Sequence, residues 1–197
     1  MANANVPSGL SPVKHISGSP FNGQANLYSI AASYTTALAI GDPVISSGTA
    51  DSYGIPGITL AANTGALRGV IVALGTTRGL MANPDNLNIT YRPGAAQSDV
   101  WYAMVVDDPN VIFEVQDRGS TPIAAADIGL NTNLVSGTNN GYVSGWTVDG
   151  STKATTSTLQ VRLLGASDRL DNTFGSAYQK LLVKINNHEL NAGAAGV

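Results

Sequence analysis

The chain has 197 residues, no cysteine, a formal charge of −3 and only 12% charged residues, about half the usual charged share. The missing cysteines exclude disulfides, thiolate catalysis and zinc–thiolate sites. The ten basic residues are scattered without a Lys/Arg cluster, which argues against direct nucleic-acid binding and against an anionic membrane surface.

A hydrophobic fraction of 43% lies in the globular range, and a chain of this length can bury one substantial core. With so few charges, Ser, Thr, Asn and Gly must supply the polar surface. Such a surface repels other proteins weakly and suits a component of an assembly.

Residues 1–26 are rich in Pro, Gly, Ser and Asn and poor in apolar residues, so they form no packed element of their own. Two readings stand: a disordered tail, or an arm that orders on a neighbouring subunit. The opening MANANVPSGLSPVKH lacks a basic region followed by an apolar stretch, so no signal peptide is expected. No run approaches the ~18 apolar residues of a membrane helix. The NIT sequon at Asn88 carries no weight without a secretion signal.

From Leu27 onward short strands follow one another: LYSIA, ALAIGDPVISSG, GITLAANTGALRGVIVALG, LNITYR, VWYAMVV, VIFEVQD, TLQVRLLG and KLLVKIN. Val, Ile, Thr and Tyr dominate them and Gly, Pro, Asn and Asp punctuate them, the pattern of a barrel or sandwich. TPIAAADIG can hold one short helical turn. The expected fold is all-β, a single small β-barrel or jelly-roll-like sandwich at 27–190, with an extended N-terminal arm at 1–26 and a flexible tail at 191–197.

IGDPVISSG at residues 40–48 and IGLNTNLVSG at 128–137 look alike, and each is followed by a strand ending in Leu-Gly, at Gly75 and at Gly165. A decayed duplication explains this. So do two strands obeying the same turn chemistry, which is the simpler reading because Gly and Ser recur in any all-β chain.

The run VWYAMVVDDPNVIFEVQDRG at residues 100–119 poses the main chemical question. Asp107 and Asp108 are a carboxylate pair, but DDPN between two apolar runs is turn material. A hairpin explains all four residues. Acid–base work needs two differing environments and a facing pocket, which nothing here supplies. Glu114 and Asp117 lie three apart on the next strand and point to opposite faces.

The two histidines, His15 and His188, cannot build a three-histidine metal site within one chain, and no G-x-S-x-G context offers a partner for a triad. There is no P-loop, no dinucleotide fingerprint and no calcium loop. GTNNGYVSG at residues 137–145 lacks the Lys and helix that phosphate binding needs. It reads as an exposed loop carrying Tyr142, with Trp146 beyond it in the core. The expectation is a protein with no enzyme activity, no catalytic or metal-binding residues and no cofactor. Val13, His15, Ile16 and Phe21 of the arm, with Tyr142, are the candidate partner contacts.

Gly41-Asp42-Pro43-Val44, Arg68-Gly69-Val70, the strand at residues 111–116, Asp127-Ile128-Gly129 and LLVKINNHEL at residues 181–190 follow in that order. With the low charge, they resemble the accessory head proteins of tailed bacteriophages, the capsid cement or decoration proteins. The resemblance spans about residues 27–190. It implies a barrel or jelly roll on the outer face of the virion capsid, bridging subunits of the major capsid protein, self-associating as a trimer or dimer, and synthesised in the host cytoplasm. The alternatives are another minor virion component, or a glycan-binding β module displayed on the particle. Against the glycan reading stands an aromatic content of only 6%. Against a major shell protein of the tailed-phage type stands the lack of any long helical pattern.

Overall fold

The computed structural model describes residues 3–78 and 89–191. Asn88 of the sequon and all of the C-terminal tail after Asn191 lie outside the described residues. The protein is all-β, and among the described residues it has one short helical element, a 3-10 turn at Ala125–Asp127 in the stretch where a helical turn is expected. The strands are β1 (Ser11–His15), β2 (Asn26–Ile30), β3 (Leu38–Ala39), β4 (Pro43–Ala50), β5 (Pro56–Leu60), β6 (Gly69–Gly75), β7 (Tyr91–Arg92), β8 (Trp101–Val106), β9 (Val111–Gln116), β10 (Asn131–Val135), β11 (Thr147–Ala154), β12 (Val161–Ala166) and β13 (Lys180–Ile185).

These strands divide between two units. The first is a closed barrel in the order β2-β5-β4-β6-β8. The second is a 6-stranded sheet in the order β1-β9-β13-β12-β10-β11. Its β11 curls back to the end of β9, where Asp117 and Val148 form a parallel bridge and the Arg118 amide donates to the Val148 carbonyl at 2.9 Å. β3 and β7 form a separate two-stranded ladder.

The two units repeat one topology. In chain order, β2, β4, β5, β6 and β8 correspond to β9, β10, β11, β12 and β13. Every pairing in the barrel has its counterpart with the same direction: four antiparallel ladders and one parallel contact that closes the ring. The match extends to single bonds. The Gly41 amide donates to Ile71 O and the Ile71 amide returns to Asp42 O; likewise Gly129 donates to Leu163 O and Leu163 returns to Leu130 O. Gly41 and Gly129 have φ of 90° and 94°, a region that glycine enters without steric cost. The register of β6 against β8 slips between Ile71 and Ala73, and that of β12 against β13 slips between Leu163 and Gly165. One extra residue bulges from each strand, Val72 in one and Leu164 in the other.

The Ile-Gly resemblance between residues 40–48 and 128–137 is therefore a structural repeat. Turn chemistry alone does not reproduce a shared strand order and a shared bulge. The Leu-Gly endings are not equivalent, however. Counted from the bulges, Gly165 corresponds to Ala73 rather than to Gly75.

Two apolar cores follow. Tyr28, Ile30, Leu38, Val44, Ile58, Ile71, Leu74, Ala103 and Val105 fill the barrel. Phe113, Val115, Leu134, Trp146, Val148, Val161, Leu163, Leu181 and Val183 fill the second unit. Val70 and Val106 point out of the barrel and join the second unit's core, so β6 and β8 are covered on both faces. That accounts for their unbroken apolar sequences.

The arm is neither disordered nor dependent on a neighbour: it orders on its own chain. β1 pairs antiparallel with β9, and Leu10 is 1% exposed in the second unit's core. The Leu10 amide donates to Gly41 O at 3.0 Å, and Asn3 Nδ2 donates to the Thr173 and Ala177 carbonyls at 3.0 Å each. The chain segment nearest the barrel in sequence thus serves the second unit.

Candidate functional site

Asp107–Asn110 is a turn, as its composition predicts, but it closes no hairpin. β8 pairs with β2 and β6 of the barrel, whereas β9 pairs with β1 and β13 of the second unit. The turn is the covalent hinge between the units. Asp108 builds it: its Oδ1 accepts the Asn110 amide at 2.8 Å and its carbonyl accepts the Val111 amide at 3.2 Å.

Asp107 has a different task. It is buried, and its Oδ1 accepts Asn26 Nδ2 at 2.7 Å while its Oδ2 accepts the Tyr28 hydroxyl at 2.6 Å. Arg68 Nε donates to the same phenolic oxygen at 2.7 Å and lies 3.8 Å from Asp107 Oδ2. The Arg68 guanidinium also sits 5.4 Å from the centre of the Tyr28 ring. Burial, then the bond to Asp107, pushes the Tyr28 hydroxyl up to about 12, so it remains a proton donor at any physiological pH. His188 approaches from the second unit. Its Nδ1 accepts the Leu190 amide at 3.1 Å, which places the ring proton on Nε2. Burial holds its pKa below the ordinary histidine value. Asp107, Asn26, Tyr28 and Arg68 form a polar knot on the barrel side of the hinge, and His188 lies beside it with its Nε2 buried and without a hydrogen-bond partner among the described residues. The bonds that cross to the second unit beside it are backbone ones: the Leu67 amide donates to Asn187 O at 2.8 Å and the Glu189 amide donates to Leu67 O at 2.9 Å.

The sequence does not single out Asn26, Tyr28 or Arg68, because their partner lies on a distant strand and no local pattern records the register. It does single out Asp107, but as turn material.

Among the arm residues, the structure brings Val13, His15, Ile16 and Phe21 together at the β1 turn. Val13 and Ile16 are exposed, at 43% and 55%. His15 is engaged internally, with Nδ1 3.3 Å from Asp108 Oδ2 and its ring 6.3 Å from that of Phe21. Phe21 turns inward against the second unit's core, and its amide donates to Val13 O at 3.1 Å. The apolar face left to solvent here is therefore Val13 and Ile16.

Tyr142 stands on another element, the 136–146 loop, and is 69% exposed. That loop reaches across to the barrel: the Ser144 amide donates to Ile40 O at 2.9 Å, and Val143 bridges to Ile40. Trp146 is buried, as expected. Beside the loop, Asp42 is 3% exposed and its Oδ2 accepts the Ala39 amide at 2.7 Å. Burial pushes this carboxyl up to about 6 against the pull of the Ser144 and Ala39 hydrogen bonds.

Other exposed apolar side chains are Val6, Tyr53, Leu170, Phe174 and Leu190. Val6 lies on the tied-down arm, where its amide donates to Gln116 Oε1 at 2.9 Å and its carbonyl accepts Lys180 Nζ at 2.8 Å. Among the described residues no three metal-ligating side chains cluster together. No family model, curated protein or solved structure matches the chain.

Proposed function

We propose that the protein is a structural virion component, an accessory head protein that binds the outer surface of a phage capsid and bridges subunits of the major capsid protein. The observation that carries this reading is the arm. It is pinned along β9 by backbone pairing, so the exposed Val13, at the register shift within β1, and Ile16, in the turn after it with its amide donating to Asn110 O at 2.8 Å, are presented on an ordered segment rather than on a loose tail. A pre-ordered apolar contact loses little conformational entropy on docking. The backbone pairing of Leu67 with residues 187–189 beside the hinge serves the same end, because a bridging molecule must transmit load without opening at its own hinge.

The weak charge of the chain supports association with a large assembly, where many copies convert weak contacts into avidity. Self-association into a dimer or trimer on the shell belongs to the same proposal. The test is substitution at the presented face. Val13→Asp and Ile16→Asp are expected to weaken binding to shells about tenfold or more, by placing a charge in a desolvated contact, while leaving the fold intact. Unchanged binding by both variants would remove this face from the interaction.

A further inference from the structure

The parallel seam that closes each unit is one rung shorter in the barrel. In the second unit it ends with the Arg118 amide donating to Val148 O at 2.9 Å. The repeat carries that rung across. Counted from the bulges, Tyr102 corresponds to Lys180, and Ser29 faces Tyr102 as Gln116 faces Lys180. Counted from Gly41 and Gly129, Ser46 corresponds to Leu134, and Ser46 faces Ile58 as Leu134 faces Val148. Ala31 is then the counterpart of Arg118, and Ile58 of Val148. Among the described residues no hydrogen bond joins Ala31 to Ile58. The Ala61 amide donates to Pro43 O at 3.0 Å, which sets the phase of the ladder and turns the Ile58 carbonyl away from β4, towards β2.

Tyr34 reaches across the gap. Its hydroxyl accepts the Leu60 amide at 2.9 Å, so its own proton is left for another acceptor. Ala31, Ile58 and Tyr34 line a cavity of about 180 Å³ together with Ser29, Ala32 and Gly57. That volume is below the roughly 300–1,000 Å³ of sites for drug-sized ligands, so it suits one small group.

The second unit treats the same place differently. Gln116, Arg118 and Thr147 stand at the positions of Ser29, Ala31 and Gly57. Gln116 is bound to the arm there: its Oε1 accepts the Val6 amide at 2.9 Å and its Nε2 donates to Asn5 Oδ1 at 2.8 Å. The barrel has smaller residues and leaves its site open.

The cavity presents no free charge. Asp51 also lines it, but its Oδ1 accepts the Tyr53 and Ile55 amides at 2.9 Å each and its Oδ2 accepts the Tyr102 hydroxyl at 2.9 Å. The wall is held in advance. Arg92 is fully buried, and its guanidinium donates to the Thr36, Pro93 and Ala31 carbonyls at 3.3 Å each and to Tyr34 O at 2.7 Å. A site shaped before binding loses less to ordering.

We infer that this cavity binds a neutral secondary amide, R–CO–NH–R′, whose carbonyl accepts the Ala31 amide and the Tyr34 hydroxyl and whose N–H donates to Ile58 O. Donor and acceptor side by side are what the absent rung leaves unmatched, and a secondary amide supplies both. A peptide group offers this chemistry, and so does the acetamido group of an N-acetyl amino sugar. The inference does not depend on the proposed virion role.

The test uses the full chain and titrates N-acetylglycine N-methylamide, N-acetylglucosamine and glucose, the last offering hydroxyls without an amide. Backbone amide chemical shifts are followed. Saturable shifts at Ala31 and Leu60 are expected with at least one amide probe and not with glucose. Preference for the first probe identifies an extended peptide as the source; preference for the second identifies a glycan bearing N-acetyl groups.

Ala32→Leu fills the cavity and should weaken binding roughly tenfold or more. It removes no polar group, so a urea midpoint close to the parent's separates loss of the site from loss of the fold. Tyr34→Phe removes the hydroxyl donor and should weaken binding several-fold through a different change. Absence of saturation with both amide probes, equal shifts from glucose, or binding unaltered in the two variants would overturn the inference.

Discussion

The Tyr28 hydroxyl donates to Asp107 Oδ2 at 2.6 Å while Arg68 Nε donates to the Tyr28 oxygen at 2.7 Å, so a single phenol relays between a buried carboxylate and a guanidinium at the hinge. Tyr28→Phe removes the relay and leaves Asp107 short of a donor. The expected loss is about 1–3 kcal/mol in denaturant unfolding. Asp107→Asn should cost a similar amount, because it places an amide where two donors already point. Asp108→Asn, at a position that only shapes the turn, should change stability by no more than about 0.5 kcal/mol. Equal tolerance of Asn at both positions would show that Asp107 is no more than turn material.

The arm should behave as part of the core. Leu10 is 1% exposed, and Leu10→Ala is expected to cost about 2–5 kcal/mol. In hydrogen exchange on the free protein, the β1 amides paired with β9 should be protected to nearly the same extent as those of β9. Exchange of β1 at the rate of an unstructured peptide would contradict the pairing.

The repeat makes a paired prediction at the two equivalent glycines. Gly41→Ala forces a Cβ to within 2.5 Å of Ser8 O at φ 90°, and Gly129→Ala meets the same backbone demand at φ 94°. Each should lose about 1–3 kcal/mol, and the double variant should lose the sum, since the sites lie in different units. Urea midpoints of the three variants test this. A harmless Gly129→Ala would break the equivalence.

Two buried groups give stability opposite pH dependences. Burial raises Asp42 from 3.8 to about 6, so the folded state favours its proton. Its stabilising contribution is complete below about pH 4 and is lost as pH rises through about 6. The loss is on the order of 3 kcal/mol. Asp42→Asn keeps an acceptor for the Ala39 amide and should therefore stabilise the protein at pH 7.5 and leave it unchanged at pH 4. His188 is lowered by burial. Its contribution is present above its unfolded value of 6.5 and is lost as pH falls below it, so His188→Asn should flatten the acid limb. Unfolding curves from pH 4 to 8 for the two variants separate the effects, and a profile unaltered by Asp42→Asn would show that this carboxyl is not held protonated.

Much of the fold is legible in the sequence where it depends on neighbouring residues. The apolar runs at β6, β8, β9 and β13 read as strands because β-branched side chains crowd them, and Asp108-Pro109-Asn110 reads as a turn because its hydrogen bonds are local. What a turn does not record is whether its flanking strands pair. β8 and β9 do not, so DDPN joins two units where a hairpin is the simplest reading. The repeat survives as the Ile-Gly turn before β4 and before β10, since a positive φ preserves glycine. Bulges at Val72 and Leu164 displace the strand ends, and the Leu-Gly pairs then mislead. The facing of Ala31 and Ile58, like that of Tyr28 and Asp107, is a property of register, which no local pattern carries.

The most direct test of the proposed role is co-sedimentation of the purified protein with shells of the major capsid protein from the same phage, before and after shell expansion. The account predicts saturable binding to expanded shells and little to unexpanded ones, with bound shells surviving higher temperature because the ligand stabilises the form it recognises. Absence of binding to both forms, at protein concentrations well above those on a fully occupied particle, would contradict it.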